Sequence, residues 1–156
     1  MEIALMTIGK TSIPFVKSGI EEYNKRLKRY INFSIIELPD LKAKVSSELQ
    51  QKQKEGELIL DKTSSSDYMV LLDENGKEYT SMEFAGYLEK LMILGKKRIV
   101  FVVGGPYGFS EAVYTRADTK LSLSRMTFNH EMVRLFFIEQ IYRGMTILRG
   151  EPYHHQ

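Results

Sequence analysis

Three stretches of this sequence carry residue types that do chemistry, and all lie in its C-terminal third. The first is Gly104-Gly105-Pro106-Tyr107-Gly108, directly after the apolar run RIVFVV of Arg98–Val103. Paired glycines at the carboxyl end of a buried strand let a ligand approach the backbone, at the edge where open α/β sheets hold their ligands. The same glycines also suit a tight strand-to-helix connection, and spacing alone weighs the two readings evenly. The second stretch is Leu121-Ser122-Leu123-Ser124-Arg125-Met126-Thr127-Phe128. A strand running out into hydroxyls, a methionine and a phenylalanine suits an adenine ring, which takes apolar faces and backbone hydrogen bonds at its edge. That shifts the weight towards ligand binding. The third is the terminal Tyr153-His154-His155. Fraying is the default for a chain end, but an aromatic ring with imidazoles can stack on an unpaired base and handle its proton.

Other candidates are weaker. His130 opens the last helical segment, where organising the preceding loop is the favoured role and proton transfer the second; a helix N-terminus disfavours its charged form. Arg134, Tyr142, Arg143 and Arg149 fall partly on one helical face, which reads first as a solvated charged face and only second as a basic stripe. Gly9-Lys10-Thr11 resembles the end of a phosphate-binding loop, yet position 4, where that loop needs its first glycine, is Ala. No G-x-G-x-x-G follows the first strand either, so if a cofactor binds, it binds in the C-terminal half.

The elements that must position these residues are legible from periodicity. Glu2–Ile8 reads as a strand, and Ser12 as the cap of a helix with Phe15, Ile20, Tyr23, Leu27 and Tyr30 inward. Phe33–Leu38 is a second strand. A polar segment to Thr63, with Val45, Leu49, Leu58 and Ile59 as sparse apolar points, predicts a helix with a solvated face. Tyr68–Leu72 is a third strand, ended by the turn Asp73-Glu74-Asn75-Gly76. Thr80 or Ser81 opens a helix that Gly95 closes; Arg98–Val103 is the fourth strand, Ser110–Arg116 a short helix and Lys120–Ser124 the fifth strand. A long helix from about Asn129 to Leu148 carries Met132, Leu135, Phe136, Ile138, Ile141 and Met145 inward. Strands alternating with helices predict one α/β domain, over residues 1–156, built on a mostly parallel sheet flanked by helices.

Composition bounds the rest. The chain has 156 residues and 43% hydrophobic content, enough for a real core. It has no cysteine, which removes disulfides, thiolate metal sites and cysteine nucleophiles. No metal is expected. The N-terminal MEIALMTIGK reads as a strand rather than a signal peptide, and no run of about 18 apolar residues spans a bilayer. The expectation is a cytoplasmic enzyme without a membrane partner. A net charge of +2, from 22 basic and 20 acidic side chains, argues only weakly for nucleic acid.

Taken together, Val103–Gly108, the SLSRMTFNHEMVRLFFIEQIYR segment from Ser122 to Arg143 and the terminal Pro152-Tyr153-His154 closely resemble one family. It is the SPOUT superfamily of methyltransferases, and within it the large-subunit ribosomal RNA methyltransferase H group. Ala4–Gly9, Glu22-Tyr23 with Arg26-Leu27, and Leu71-Leu72-Asp73 with Gly76-Lys77 also fit, so the resemblance runs the full length. It implies an α/β-knot fold with a deep C-terminal trefoil knot, a homodimer with active sites at the interface, and S-adenosyl-L-methionine as methyl donor. It implies as substrate 23S rRNA of the large subunit or assembled ribosome, methylated at N3 of a pseudouridine in helix 69. Carried onto matching positions, the cofactor contacts are Leu72, Gly104, Leu123, Ser124, Arg125, Met126, Thr127 and Phe128. Two departures stand out: Asn129 replaces a proline common before His130, and His155 stands where some members carry Arg or Lys.

An imide nitrogen is protonated at neutral pH, so a base with a near-neutral pKa is needed, and histidine suits. His154 is favoured over His130 because a tail can reach across a dimer interface, with Tyr153 stacking on or positioning the base. The alternatives are a SPOUT methyltransferase acting on transfer RNA and a non-catalytic ribosome-binding factor with the same fold.

Overall fold

The computed structural model describes residues 1–41 and 46–155; Val45 and the terminal Gln156 lie outside the described residues. Five strands, β1 (Glu2–Ile8), β2 (Asn32–Leu38), β3 (Tyr68–Glu78), β4 (Arg98–Val103) and β5 (Thr119–Ser122), form one sheet in the order β2-β1-β4-β3-β5. Every pairing is parallel. Among the described residues five helices flank it: α1 (Pro14–Leu27), α2 (Glu48–Asp61), α3 (Ser81–Met92), α4 (Glu111–Arg116) and α5 (Met132–Leu148).

A parallel sheet must be covered on both faces, and the strand alternation does this. Ile3, Leu5, Val70, Ile99 and Phe101 point into a core shared with Val16 of α1, Leu88 of α3 and Phe137 of α5. Met6, Met69, Leu71, Val100 and Val102 face the other way, onto Ile59 of α2 and Val113 of α4. So α1, α3 and α5 lie on one side, α2 and α4 on the other. Each fully buried Leu, Ile or Phe contributes roughly 1.5–3 kcal/mol.

Three local differences from the periodicity matter for the site. Ser12 does not cap α1. Pro14 opens that helix and Ile13 is its extended N-cap, with φ −67° and ψ 118°, so Ser12 stands one residue too early. Phe15 and Phe136, expected inward, are 66% and 42% exposed because the buried faces run through Val16, Ile20 and Leu27 and through Phe137 and Ile138. Finally, β3 does not end at Leu72. It loops out over Asp73–Gly76 and pairs again with β5, so that Leu72 and Lys77 both stand opposite Leu121. A Cβ on Gly76 would lie 2.6 Å from the Leu121 backbone, so only glycine brings the chain back this closely. The α3 start is as expected: Thr80 caps, and Glu83 completes a reciprocal capping box.

Candidate active site

In a parallel sheet all carboxyl ends share one edge, and here that edge opens into a cleft of about 1050 Å³ between the ends of β3, β4 and β5. Its floor is the glycine turn. Gly105 and Gly108 form an isolated antiparallel bridge, the Gly108 amide donates to the Gly105 carbonyl at 3.2 Å, and Gly108 takes φ +77°. That left-handed conformation favours glycine. The other two glycines answer to the protein's own packing. A Cβ on Gly104 would lie 3.1 Å from the Phe109 ring, and one on Gly105 would collide with the Glu55 carboxylate. Glu55 is itself buried and accepts from Gln51 Nε2 at 2.9 Å. The turn is therefore shaped from beneath by α2 and Phe109, and its upper surface faces the cleft.

The segment after β5 makes the facing wall. Ser122 Oγ donates to the Ser124 carbonyl at 3.0 Å, and the Met126 amide donates to Ser124 Oγ at 3.0 Å. These short-range bonds fold the loop so that Met126 stands 78% exposed. Phe128 packs on Phe136 with ring centroids 5.3 Å apart. Downstream, Asn129 Oδ1 accepts from the amides of Glu131 and Met132, so the residue in the proline's place caps the entry to α5.

Buried Glu131 then ties this wall to the β1–α1 loop. Its carboxylate accepts from the amides of Ser12 at 2.6 Å and Ile13 at 2.9 Å, and from Ser12 Oγ at 2.8 Å. Burial pushes the Glu131 carboxyl up, but the Ile13 and Ser12 donors outweigh it and hold the group below its ordinary range. One turn on, buried Arg134 donates to the carbonyls of Ile8 at 2.7 Å and Gly9 at 3.0 Å and to Thr11 Oγ1 at 3.0 Å. Arg134 is thus no part of an exposed stripe.

Leu72, Gly104, Leu123, Ser124, Met126, Thr127, Phe128 and His130 all line the one cleft. Arg125 does not; its side chain is 87% exposed, 3.6 Å from Glu78. The His130 side chain is 59% exposed, with Nε2 3.8 Å from a Glu131 carboxylate oxygen. Sequence reasoning missed Glu48, Leu49 and Lys52 of α2, which form another side of the cleft. Their only signal is that 48 and 52 share a helical face. It also missed Asp73, which reads as a plain turn residue but accepts a hydrogen bond from Tyr114 at the cleft.

Tyr153 and His154 lie elsewhere. The Tyr153 hydroxyl donates to Glu139 Oε1 at 2.9 Å and lies 3.0 Å from Tyr23 Oη. Its ring meets Tyr142 edge-on at 4.7 Å, beneath the Arg143 guanidinium. Burial, then the bonds to Tyr23 and Glu139, push the phenol well above its ordinary pKa. His154 Nδ1 sits 3.2 Å from Arg143 Nη1. The tail leaves the far end of α5 and folds back along it to Glu139 and Arg143, roughly 10–16 Å from the helix start, and neither Tyr153 nor His154 lines the cleft of its own chain.

Among the described residues no helix is long and apolar enough to cross a membrane, and no group of three or more His, Asp or Glu side chains could hold a metal. Residues 1–154 match the family model described as "Predicted SPOUT methyltransferase". The chain is 60% identical over its full length, and that of the relative, to ribosomal RNA large subunit methyltransferase H of Parabacteroides distasonis. It is 58% identical, again with complete coverage of both, to the protein of that name from Flavobacterium johnsoniae. At 49% identity it matches the one from Cytophaga hutchinsonii over 99% of this chain and all of the relative. With a parallel α/β sheet, a glycine turn and the 122–130 loop converging on one cleft, the chain belongs to the SPOUT methyltransferase family.

Proposed function

We propose that the protein transfers a methyl group from S-adenosylmethionine to N3 of a pseudouridine in helix 69 of 23S rRNA, on the assembled ribosome, as a cytoplasmic homodimer. The observation that carries this reading is the convergence of Leu72, Gly104 and residues 123–128, Arg125 excepted, on one cleft. Its volume lies at the upper end for small-molecule sites. Exposed Met126 and the apolar Leu72, Leu123 and Phe128 fit a purine face, and the loop backbone supplies edge hydrogen bonds. When bound, S-adenosylmethionine would supply an electrophilic methyl carbon on a sulfonium sulfur. Gly104, Leu123, Ser124, Met126, Thr127 and Phe128 would hold it, and Arg125 would reach it only by turning from Glu78.

The protein's own contribution is alignment and a proton sink. Holding nucleophile and methyl group in line is worth roughly 7–11 kcal/mol where the geometry is right. The N3–H proton must leave as the N–C bond forms, and His154 is the acceptor we assign, with Tyr153 positioning the base. Because neither Tyr153 nor His154 lines the cleft of its own chain, we assign His154 to the cleft of a partner subunit. The exposed apolar side chains Phe15, Phe136 and Phe128 on or beside α1 and α5 supply a surface for that partner. His130, at the cleft, is the second candidate base.

The knot that the family resemblance implies belongs to this reading as well. After β5 the chain crosses at the carboxyl edge from the α4 face to the α5 face, while the 73–76 excursion folds back over Leu121. The test is transfer of labelled methyl to ribosomes prepared without the modification, with naked 23S rRNA and transfer RNA in parallel. Label confined to large-subunit RNA of ribosomes is expected. Label in transfer RNA would move the substrate, and no label with no cofactor binding would sink the enzymatic reading.

A further inference from the structure

We propose that the C-terminal end of α1, with the end of α5, forms a phosphate-binding groove that docks RNA backbone. This rests on the reading above, since it names the surface that would hold that substrate. A groove of about 290 Å³ there is lined by Glu22, Lys25, Arg26, Arg29 and Tyr142. Lys28 and Arg149 extend it, and Lys25, Lys28, Arg29 and Arg149 are exposed and form no ion pair among the described residues. The acids at this end are largely engaged: Glu22 pairs with Arg26 at 3.0 Å, and Glu151 accepts from the Tyr30 hydroxyl.

Two details separate this cluster from an ordinary solvated face. Arg149 Nη2 donates to the Arg29 backbone carbonyl at 3.4 Å, which holds its guanidinium at the end of α1. Its guanidinium thereby joins the cations at the end of α1, and clustered like charges favour an anion among them. The guanidinium groups are also backed by rings: Arg149 lies 4.4 Å from the Tyr30 centroid, and Arg26 lies 5.3 Å and 5.6 Å from those of Tyr23 and Tyr142. Stacking holds the planar fork ready for a phosphate at reduced entropic cost. A chain with a net charge of only +2 thus gathers four uncompensated cations at one end. The α5 tail with His154 leaves from this same end, so RNA held here lies beside the assigned base.

The experiment compares wild type with a Lys25→Gln, Arg29→Gln double variant and with a control of equal charge change on the α2 side, Lys54→Gln, Lys62→Gln. Direct binding to ribosomes is measured against salt, alongside methyl transfer, S-adenosylmethionine affinity, thermal midpoint and oligomeric state. The groove variant is expected to bind ribosomes at least fivefold more weakly at 0.15 M salt, with a log–log salt slope shallower by about 1.5. Cofactor affinity, thermal midpoint and oligomeric state stay as in wild type, and the control matches wild type throughout. An unchanged slope and affinity, equal losses in the control, or a change of oligomeric state would each overturn the proposal. If wild type binds ribosomes through this groove yet transfers no methyl group, the groove stands and the methyltransferase reading fails.

Discussion

At Gly104, protein packing and ligand approach make the same demand. The Cβ that the residue lacks would press on Phe109 at 3.1 Å, and the open side of the backbone faces the cleft. Gly104→Val should therefore lower the thermal midpoint and weaken S-adenosylmethionine binding by more than tenfold in calorimetry; unchanged affinity would mean that the pocket lies elsewhere. His154 behaves in the opposite way. It touches Arg143 and no residue that lines the cleft, so His154→Ala should leave cofactor affinity and stability intact. Loss of a general base is worth about 10²–10⁴-fold in turnover. A pH–rate profile for the variant identical to wild type would remove His154 from that role and turn attention to His130.

At the scale of elements, Glu131 joins two segments 118 residues apart, and its energetics are testable apart from catalysis. Glu131→Ala strands two backbone amides and a hydroxyl and leaves Arg134 with Glu37 as its remaining acidic neighbour. The expected loss is about 3 kcal/mol of stability, read as the change in urea midpoint at constant slope. Because the folded carboxyl is held below its ordinary value of 4.5, the unfolded chain takes up its proton first. The contribution is complete above that value and lost as pH falls through the lower folded value. The wild-type advantage over the variant should shrink on acidification below about pH 4.5; an advantage that grew there would refute the assignment.

Element boundaries also show what the sequence could convey. Strands and helices came from local periodicity and caps, and β1, β4 and the start of α3 stand where those signals put them. What stayed hidden was tertiary. Ser12 has the chemistry of a cap, but Pro14 shifts the helix start and Glu131 takes the hydroxyl. The sequence DENG reads as a strand-ending turn, yet β3 resumes beyond it because β5 offers an edge to pair with. The loop and glycine-turn residues of the cleft were legible because adjacent side chains form them. The α2 wall was not, because nothing local ties Lys52 to Gly104.

For the whole molecule the decisive arrangement is the separation of cleft and tail. The cleft sits at the carboxyl edge of the sheet. Helix α5 runs away from it, and the tail folds back so that Tyr153 and His154 meet Glu139 and Arg143, roughly 10–16 Å along the helix. Within one chain His154, the base proposed above, does not line the cleft. The two-fold dimer proposed above would bring each tail to the other subunit's cleft. Complementation separates these cases. A His154→Ala chain keeps a working cleft and lacks the base, whereas a Gly104→Val chain keeps the base and lacks the cleft, and each homodimer alone is inactive. If subunits exchange at random in an equal mixture, half the dimers are mixed, and each mixed dimer holds one complete site. Activity should then recover to about a quarter of wild type, rising with the time allowed for exchange. A base acting within its own chain gives no recovery at any mixing ratio, because no chain in the mixture carries both functional parts.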